Sequence, residues 1–319
     1  MPRRWALCLF AGLTLLLVVG LASNHVPPRR VVTADRPRPV RELSLERLVR
    51  DFVASIPRRG TEAYDVPTPV EAQAFTDAVE EARAGRLAQA RRALDPLAYD
   101  LVEGEDRRTG RRLLVLRERR QPDGGWPHGW GLYVFGSGSA DPLVVQVPHP
   151  LFDIDSFELG LAAFQRSGAD ALFVAGAHRY ANSDGSSDVA HSEGTMFQQV
   201  TRSLVGADTT LLQFHGFADD SFPGYGSVVV SDGLAPPSSV SRAVVDALRT
   251  RGFDACLYDG TDCAGLGATT NVQGRFAQVV GAEFLHVEVI RRLREDPRLR
   301  TRLARHTVDA IGRHDDGLG

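Results

Sequence analysis

The chain of 319 residues contains no lysine, so its 37 basic Lys/Arg positions are all arginine. That bias reflects GC-rich coding sequence and excludes no activity. Net charge of one sign is also scarce. The formal value is −3, and the arginines collect on no expected face. Neither nucleic acid nor an anionic lipid surface is indicated as a charge-driven partner. Cysteine is limited to three residues. Cys8 lies in an apolar N-terminal run without the small-residue pattern of a lipoprotein. Cys256 and Cys263 lack the close paired spacing of a cysteine zinc site and are expected to form a short-loop disulfide. There is no internal repeat and no low-complexity tract beyond one linker. A serine nucleophile elbow is missing too: Gly136-Ser137-Gly138-Ser139-Ala140 lacks the second glycine after Ser139 and no strand–turn–helix context follows, so it reads as a turn.

The N-terminus carries an export feature. Arg3 and Arg4 precede an uncharged, mainly apolar run over residues 5–22, with Gly20, Ala22 and Ser23 near its end. Residues 1–26 read as a signal peptide, or as a retained membrane anchor, since the run is just long enough to span a bilayer. Residues 27–42 form a Pro/Arg-rich linker. The expected setting is therefore periplasmic, secreted, or anchored and facing outward, with membrane contact only if the run is retained.

The remainder divides by periodicity. Residues 43–97 read as helical, with an amphipathic helix over 43–56 and a second helical stretch over 69–97, and no acids or histidines gather there around a pocket. This region is expected to pack against or cap the rest. Residues 98–319 read as the catalytic domain. Short strands over 99–102, 113–117 and 132–135, separated by turn-rich segments, suggest an antiparallel start to a sheet. The pattern then changes. The apolar runs LVVQV (143–147), ALFVA (171–175) and TLLQF (210–214) alternate with helical stretches over 156–166 and 194–204. That spacing implies right-handed crossovers and a buried parallel sheet. Strands over 227–230 and 255–258 flank a helix over 239–251, and a last long element runs over 275–295. The fold class is α/β: three layers around a mixed, mainly parallel sheet, preceded by a helical segment.

Each central run ends in a histidine: His149 after LVVQV, His178 after ALFVA, and His215 after TLLQF. In a parallel sheet the carboxyl ends of the strands share one edge, where ligands bind. Imidazoles there suit metal ligation or proton transfer. A catalytic zinc needs three protein ligands and an open fourth position, often two His and one carboxylate. Asp153, Asp155 and Glu158 follow His149 closely, and the segment from His149 to Asp153 can fold back onto one ion. His215 can complete the set. The ion would lower the pKa of its water to about 7 and polarise a carbonyl. Glu288, in Phe284-Leu285-His286-Val287-Glu288, is the candidate base. If that segment is extended, His286 and Glu288 project to the same side; if it is helical, they point nearly apart.

The order His149…Asp153…His215…Glu288 on an α/β scaffold resembles the zinc carboxypeptidase-like amidohydrolases, most of all the N-formylglutamate amidohydrolase and poly-γ-glutamate hydrolase branch. The resemblance covers residues 143–294. It implies His149, Asp153 and His215 as zinc ligands, Glu288 as general base, and an arginine in the middle segment that holds a substrate carboxylate. Arg179 is the matching position. The usual Glu at the first carboxylate is replaced here, which leaves Asp155 and Glu158 beside Asp153. The loop between His178 and His191 also departs from the pattern. His178 is read as a supporting or substrate-facing group. His191 either orients Asp188 or touches substrate, against helix capping by Asp188 or Ser192. Asn271 is a further substrate-contact candidate, although a capped helix start explains it equally.

The expected activity is zinc-dependent hydrolysis of an amide bond in a small peptide-like or acyl-amino-acid substrate. Two rivals belong to other classes. One is a non-catalytic exported binding module on a degenerate hydrolase scaffold. The other is a metal-dependent phosphoesterase, against which stands the lack of Asp-x-His clusters for a two-metal site.

Overall fold

The computed structural model describes residues 41–138 and 142–317, without the side chains of residues 315 and 316, and these belong to one compact unit. The expected signal or anchor over residues 1–26, most of the linker, and Ser139 and Ala140 of the serine-rich turn lie outside the described residues. Among the described residues no helix is long and apolar enough to cross a membrane.

Ten strands form a single mixed sheet. In chain order they are β1 (Glu42–Leu43), β2 (Tyr99–Asp106), β3 (Arg112–Glu118), β4 (Leu132–Gly136), β5 (Leu143–Val147), β6 (Ala171–Val174), β7 (Thr210–Phe217), β8 (Val228–Ser231), β9 (Ala255–Leu257) and β10 (Glu283–Ile290). The spatial order is β1-β2-β3-β4-β6-β5-β7-β10-β8-β9. As the turn-rich spacing predicts, β2, β3 and β4 are antiparallel. The centre is parallel: β6 with β5, β5 with β7, and β7 with β10. These strands are buried along nearly their whole length, which is why they read as continuous apolar runs rather than alternating ones.

The helices make the two outer layers. α1 (Leu45–Ser55), α4 (Ser156–Ser167), α6 (Ser239–Thr250) and α9 (Pro297–Asp316) share a core with Val145, Val147, Leu172 and Phe214 on one sheet face. α2 (Pro69–Arg83), α3 (Leu87–Leu94), α5 (Met196–Leu204) and α7 (Val272–Val280) share a core with Val144, Phe173 and Leu211 on the other. α8 (Arg291–Glu295) follows β10 directly. Caps locate the helix starts. Thr68 and Glu71 form a reciprocal capping box ahead of Pro69, and Ser44, Thr195, Ser238 and Asn271 each accept an N–H of the first turn. The region over 43–97 is divided between the layers, with α1 on one face and α2 and α3 on the other. Cys256 and Cys263 are joined in a disulfide.

One element differs from expectation. The stretch over 275–295 is no single long element: α7 ends at Val280, and β10 begins at Glu283. Gly281 adopts a left-handed φ of 79° and caps the helix, a conformation glycine reaches without a Cβ penalty. The sequence FLHVEVI that follows is buried throughout and rich in β-branched residues, which suits a central strand. α9 had no counterpart in the periodicity.

Close helix–sheet contact holds β5 in place. A Cβ at Gly160 on α4 would stand 2.4 Å from Val147 Cγ2. Val147 is wholly buried, and its stiff branched side chain has no room to withdraw. Gly160→Ala should therefore lower stability by roughly 1–3 kcal/mol, although alanine is the better helix former. Urea unfolding reads this directly, and a higher midpoint in the variant would contradict the packing described.

Candidate metal centre

The register of the central strands sets the site. In the β7–β10 pair, His215 lies opposite Glu288 and Gln213 opposite His286. Gln146 of β5 lies opposite Gln213. Because side chains repeat every second residue, Gln213, His215, His286 and Glu288 share one side of the sheet. His149 comes two residues after β5. The loop turns at once, since the Asp153 N–H donates to the His149 carbonyl at 2.9 Å. This turn brings the Asp153 carboxylate back to the histidine that precedes it.

Three ligand atoms converge there. Asp153 Oδ2 lies 3.4 Å from His149 Nδ1 and 3.3 Å from His215 Nδ1. All three side chains are buried. Neither His149 Nδ1 nor Asp153 Oδ2 has a hydrogen-bond partner. The far nitrogens are occupied: His149 Nε2 is 2.9 Å from Asp188 Oδ1, and His215 Nε2 is 3.1 Å from Gln213 Oε1. Asp188 also takes the Arg179 guanidinium at 2.5 Å and has His191 Nδ1 at 3.2 Å. Burial opposes its ionisation, but the histidine contacts and the Arg179 charge hold it well below the usual carboxylate range. An ionised carboxylate only accepts, so His149 Nε2 carries a hydrogen. A neutral His149 therefore turns a bare Nδ1 toward Asp153.

Such an arrangement is unfavourable without a cation, because buried acceptors facing one another share no hydrogen. A zinc ion with ligands at 2.0–2.1 Å would place tetrahedral ligand atoms about 3.3–3.4 Å apart, which the two Asp153–imidazole separations match, and all three ligand atoms lie within 4.8 Å of one another. The residues present therefore fit a zinc ion. A proton on His149 is the smallest alternative cation. Burial disfavours it, but Asp153 and Asp188 outweigh burial and raise the pKa of His149. Asp153 is shifted the other way: burial raises its pKa, yet the two imidazoles prevail and hold it low. Burial pushes His215 down to about 4, so its ring is neutral near pH 7.

Glu288 is buried beside this group, and its Oε2 has no hydrogen-bond partner. Burial, followed by the Asp153 charge, pushes its pKa up to about 8. His286 Nε2 lies 3.7 Å from Glu288 Oε1, and the His286 ring centre is 4.4 Å from that of His215. Burial keeps His286 neutral, with a pKa well below the ordinary value. A cavity of about 370 Å³ opens onto the site, lined by Asp153, His215 and Glu288 together with Phe152, Phe217 and Phe222. Arg294 secures the surrounding loops. Its buried guanidinium donates to the carbonyls of Val289, Phe217 and Ile154, one at the end of each chain segment that frames the site.

The other candidates fall into different places. Of the three strand-end histidines, His149 and His215 come together and His178 stands apart. The His178 Nδ1 accepts the Tyr180 N–H at 3.0 Å, and its ring packs edge-on against Phe152. Asp155 and Glu158 turn away from the histidines: Glu158 forms ion pairs with Arg50 and Arg300, and Asp155 lies 4.0 Å from Arg300. Arg179 lines the cavity with one nitrogen committed to Asp188, and its guanidinium rests over Phe152 and Tyr180. Its Nε is buried without a partner. Asn271 is not part of the cavity lining. It is buried, caps α7, and donates to Gln213 Oε1 at 2.8 Å. Asp188, open in the sequence between a partner of His191 and a helix cap, meets His191 and also holds His149 and Arg179, while Thr195 caps α5; nothing in the sequence assigned Gln213 a role. The signal for Gln213 was its place two residues before His215 on one strand, which puts both side chains on the same face.

No protein-family model matches the chain, and no curated protein matches it. Solved structures do. An N-formylglutamate amidohydrolase from Ralstonia eutropha aligns at 14% identity, with a TM-score of 0.38, over 58% of this chain and 99% of its own. A metallo-carboxypeptidase from Pseudomonas aeruginosa aligns at 16% identity and a TM-score of 0.37, over 75% and 69% of the two chains. An aspartoacylase family protein from Mesorhizobium loti aligns at 12% identity and a TM-score of 0.41, over 67% and 71%. Likenesses this distant assign no residue a role, so the roles rest on the geometry above.

The raised pKa of Glu288 makes stability pH-dependent in metal-free protein. Between its ordinary value and about 8, the folded chain keeps a proton that the unfolded chain releases. The resulting stabilisation is complete at acid pH and is lost as pH rises toward that value. Relative to Glu288→Gln, the chain in chelator should lose on the order of 3 kcal/mol from about pH 5 to about pH 8. Urea titrations at several pH values test this, and parallel curves for the two proteins would refute it.

Proposed function

We propose that the chain is a zinc-dependent hydrolase of amide bonds, acting on a small peptide-like or acyl-amino-acid substrate. The observation that carries this reading is the buried meeting of His149 Nδ1, Asp153 Oδ2 and His215 Nδ1 around a space that only a cation satisfies. His149, Asp153 and His215 would hold the ion. Bound there, zinc would supply Lewis acidity toward a carbonyl and toward water.

The chain's own groups account for the rest. Glu288 faces the same cavity in a water-poor setting; the charge of a cation bound beside it would favour its ionised form, and that carboxylate takes a proton from the attacking water and passes it to the departing amine. Its position opposite His215 in the strand register keeps it beside the ligand set. Asp188 and Gln213 hold the two imidazoles by their far nitrogens, which limits ring rotation. Arg179, with a buried Nε still unpartnered, lies where a substrate carboxylate would meet it. Phe152, Phe217 and Phe222 offer apolar surface to the substrate body and exclude water from the reacting bond. The reading includes an exported setting, supported by the N-terminal apolar run and the Cys256–Cys263 disulfide.

Metal analysis with matched kinetics tests the proposal. Purified protein is expected to hold one zinc per chain, and His215→Ala and Asp153→Ala to lose it. Glu288→Gln should keep zinc while kcat on acyl-amino acids falls by roughly 10²–10⁴-fold. Full zinc retention in His215→Ala, or turnover of phosphoesters in place of amides, would overturn it. Unchanged ligand affinity with no activity in any form would instead identify a binding module.

A further inference from the structure

The buried amides behind the site form a chain of hydrogen bonds whose direction is set by backbone groups. At one end, the Gly274 N–H donates to Asn271 Oδ1 at 2.9 Å. A backbone N–H can only donate, so the other end of the Asn271 side chain is its NH2. That NH2 donates to Gln213 Oε1 at 2.8 Å. From a second direction, Gln273 Nε2 donates to the Val189 carbonyl at 2.8 Å, which leaves Gln273 Oε1 as an acceptor. Gln213 Nε2 donates to it at 3.0 Å and to Gln146 Oε1 at 2.7 Å. Gln146 is anchored in turn, donating to the Thr201 hydroxyl at 2.8 Å, which donates to the Phe197 carbonyl at 2.8 Å.

Two independent routes therefore orient Gln213 the same way. Reversing its amide would bring NH2 against NH2 at Asn271 and oxygen against oxygen at Gln146 and Gln273, all in the interior. Unpaired buried polar groups each cost on the order of 1–3 kcal/mol, so the reversed state is negligibly populated. Gln213 Oε1 thus faces His215 Nε2 as an acceptor, and that nitrogen has to donate.

We infer that Gln213 is a positioning residue: through the Asn271–Gln213–Gln273 relay it fixes His215 in the tautomer with hydrogen on Nε2, so that Nδ1 is the bare nitrogen turned toward Asp153. The relay gives Asn271 a positioning role in place of substrate contact. The tautomer belongs to the metal-free chain. Its consequence for metal affinity rests on the proposed zinc-hydrolase reading, because only then does a bare Nδ1 act as a ligand.

The test separates the two. Long-range proton–nitrogen correlation spectra of metal-free protein with 15N-labelled histidine report each tautomer. His215 is expected as the Nε2–H form, and Gln213→Met as a mixture of forms with zinc affinity reduced roughly 10–100-fold. Gln146→Met, which removes a partner of Gln213 without touching His215, controls for general loosening and should retain the Nε2–H form. An Nδ1–H form or an even mixture in the unsubstituted protein overturns the inference, whether or not Gln213→Met folds. So does an unchanged tautomer in a folded Gln213→Met. If the Nε2–H form is present and zinc is not bound, the inference stands and the metal reading fails.

Discussion

Everything around the site answers to one constraint: an ionised Asp153 oxygen is buried between two imidazole nitrogens and needs a positive charge beside it. Burying a carboxylate is unfavourable unless a cation or donors compensate it. Here Asp153 Oδ2 has His149 Nδ1 and His215 Nδ1 as its nearest polar neighbours, yet no hydrogen bond. Asp188, by ionising against Arg179, and Gln213, by the fixed direction of its amide, hold the far nitrogen of each ring. Both arrangements turn ring lone pairs inward. The interior is thus organised to hold one positive charge, which a proton on His149 supplies in the metal-free chain and a metal ion shared by the three ligand atoms would supply in its place.

The same constraint explains the perturbed acids and bases. Low dielectric surroundings and nearby charge move Glu288 up and His215 down. Asp153 and Asp188 move the other way because each has cationic or hydrogen-donating neighbours that burial does not outweigh. Groups with opposed shifts, clustered at the open edge of a parallel sheet, are what acid–base chemistry requires. Elsewhere Glu118 is also pushed up, to about 7, but it accepts the N–H groups of His128 and Gly129 and, among the described residues, belongs to no group that could hold a metal ion.

The fold supplies the convergence. Parallel pairing of β5, β7 and β10 sets three carboxyl ends side by side, and the register brings Glu288 level with His215. Residues some 140 positions apart at the extremes (His149 to Glu288) become neighbours through these ladders. Arg294 then joins three of the emerging segments through their carbonyls. Its charge is therefore used to hold backbone in place.

Much of this was legible in the chain alone. LVVQV, ALFVA and TLLQF are apolar on both faces, and that property by itself predicts buried parallel strands with their carboxyl ends aligned. Histidines at the ends of those apolar runs, an aspartate four residues after His149, and a disulfide between Cys256 and Cys263 follow from spacing and composition, although β7 continues to Phe217 and so contains His215. What periodicity could not supply was direction and partnership. Asp153, Asp155 and Glu158 are equivalent in sequence. Only the turn after His149 aims Asp153 inward, while Arg50 and Arg300 draw Glu158 outward. The segment ending in FLHVEVI reads equally as helix or strand until its two neighbours, β7 and β8, are known. Asn271 and Gln213 look like ordinary polar residues in a list of letters. Their role depends on which atom of each amide faces which backbone group, a property that exists only once the helix cap and the sheet have met.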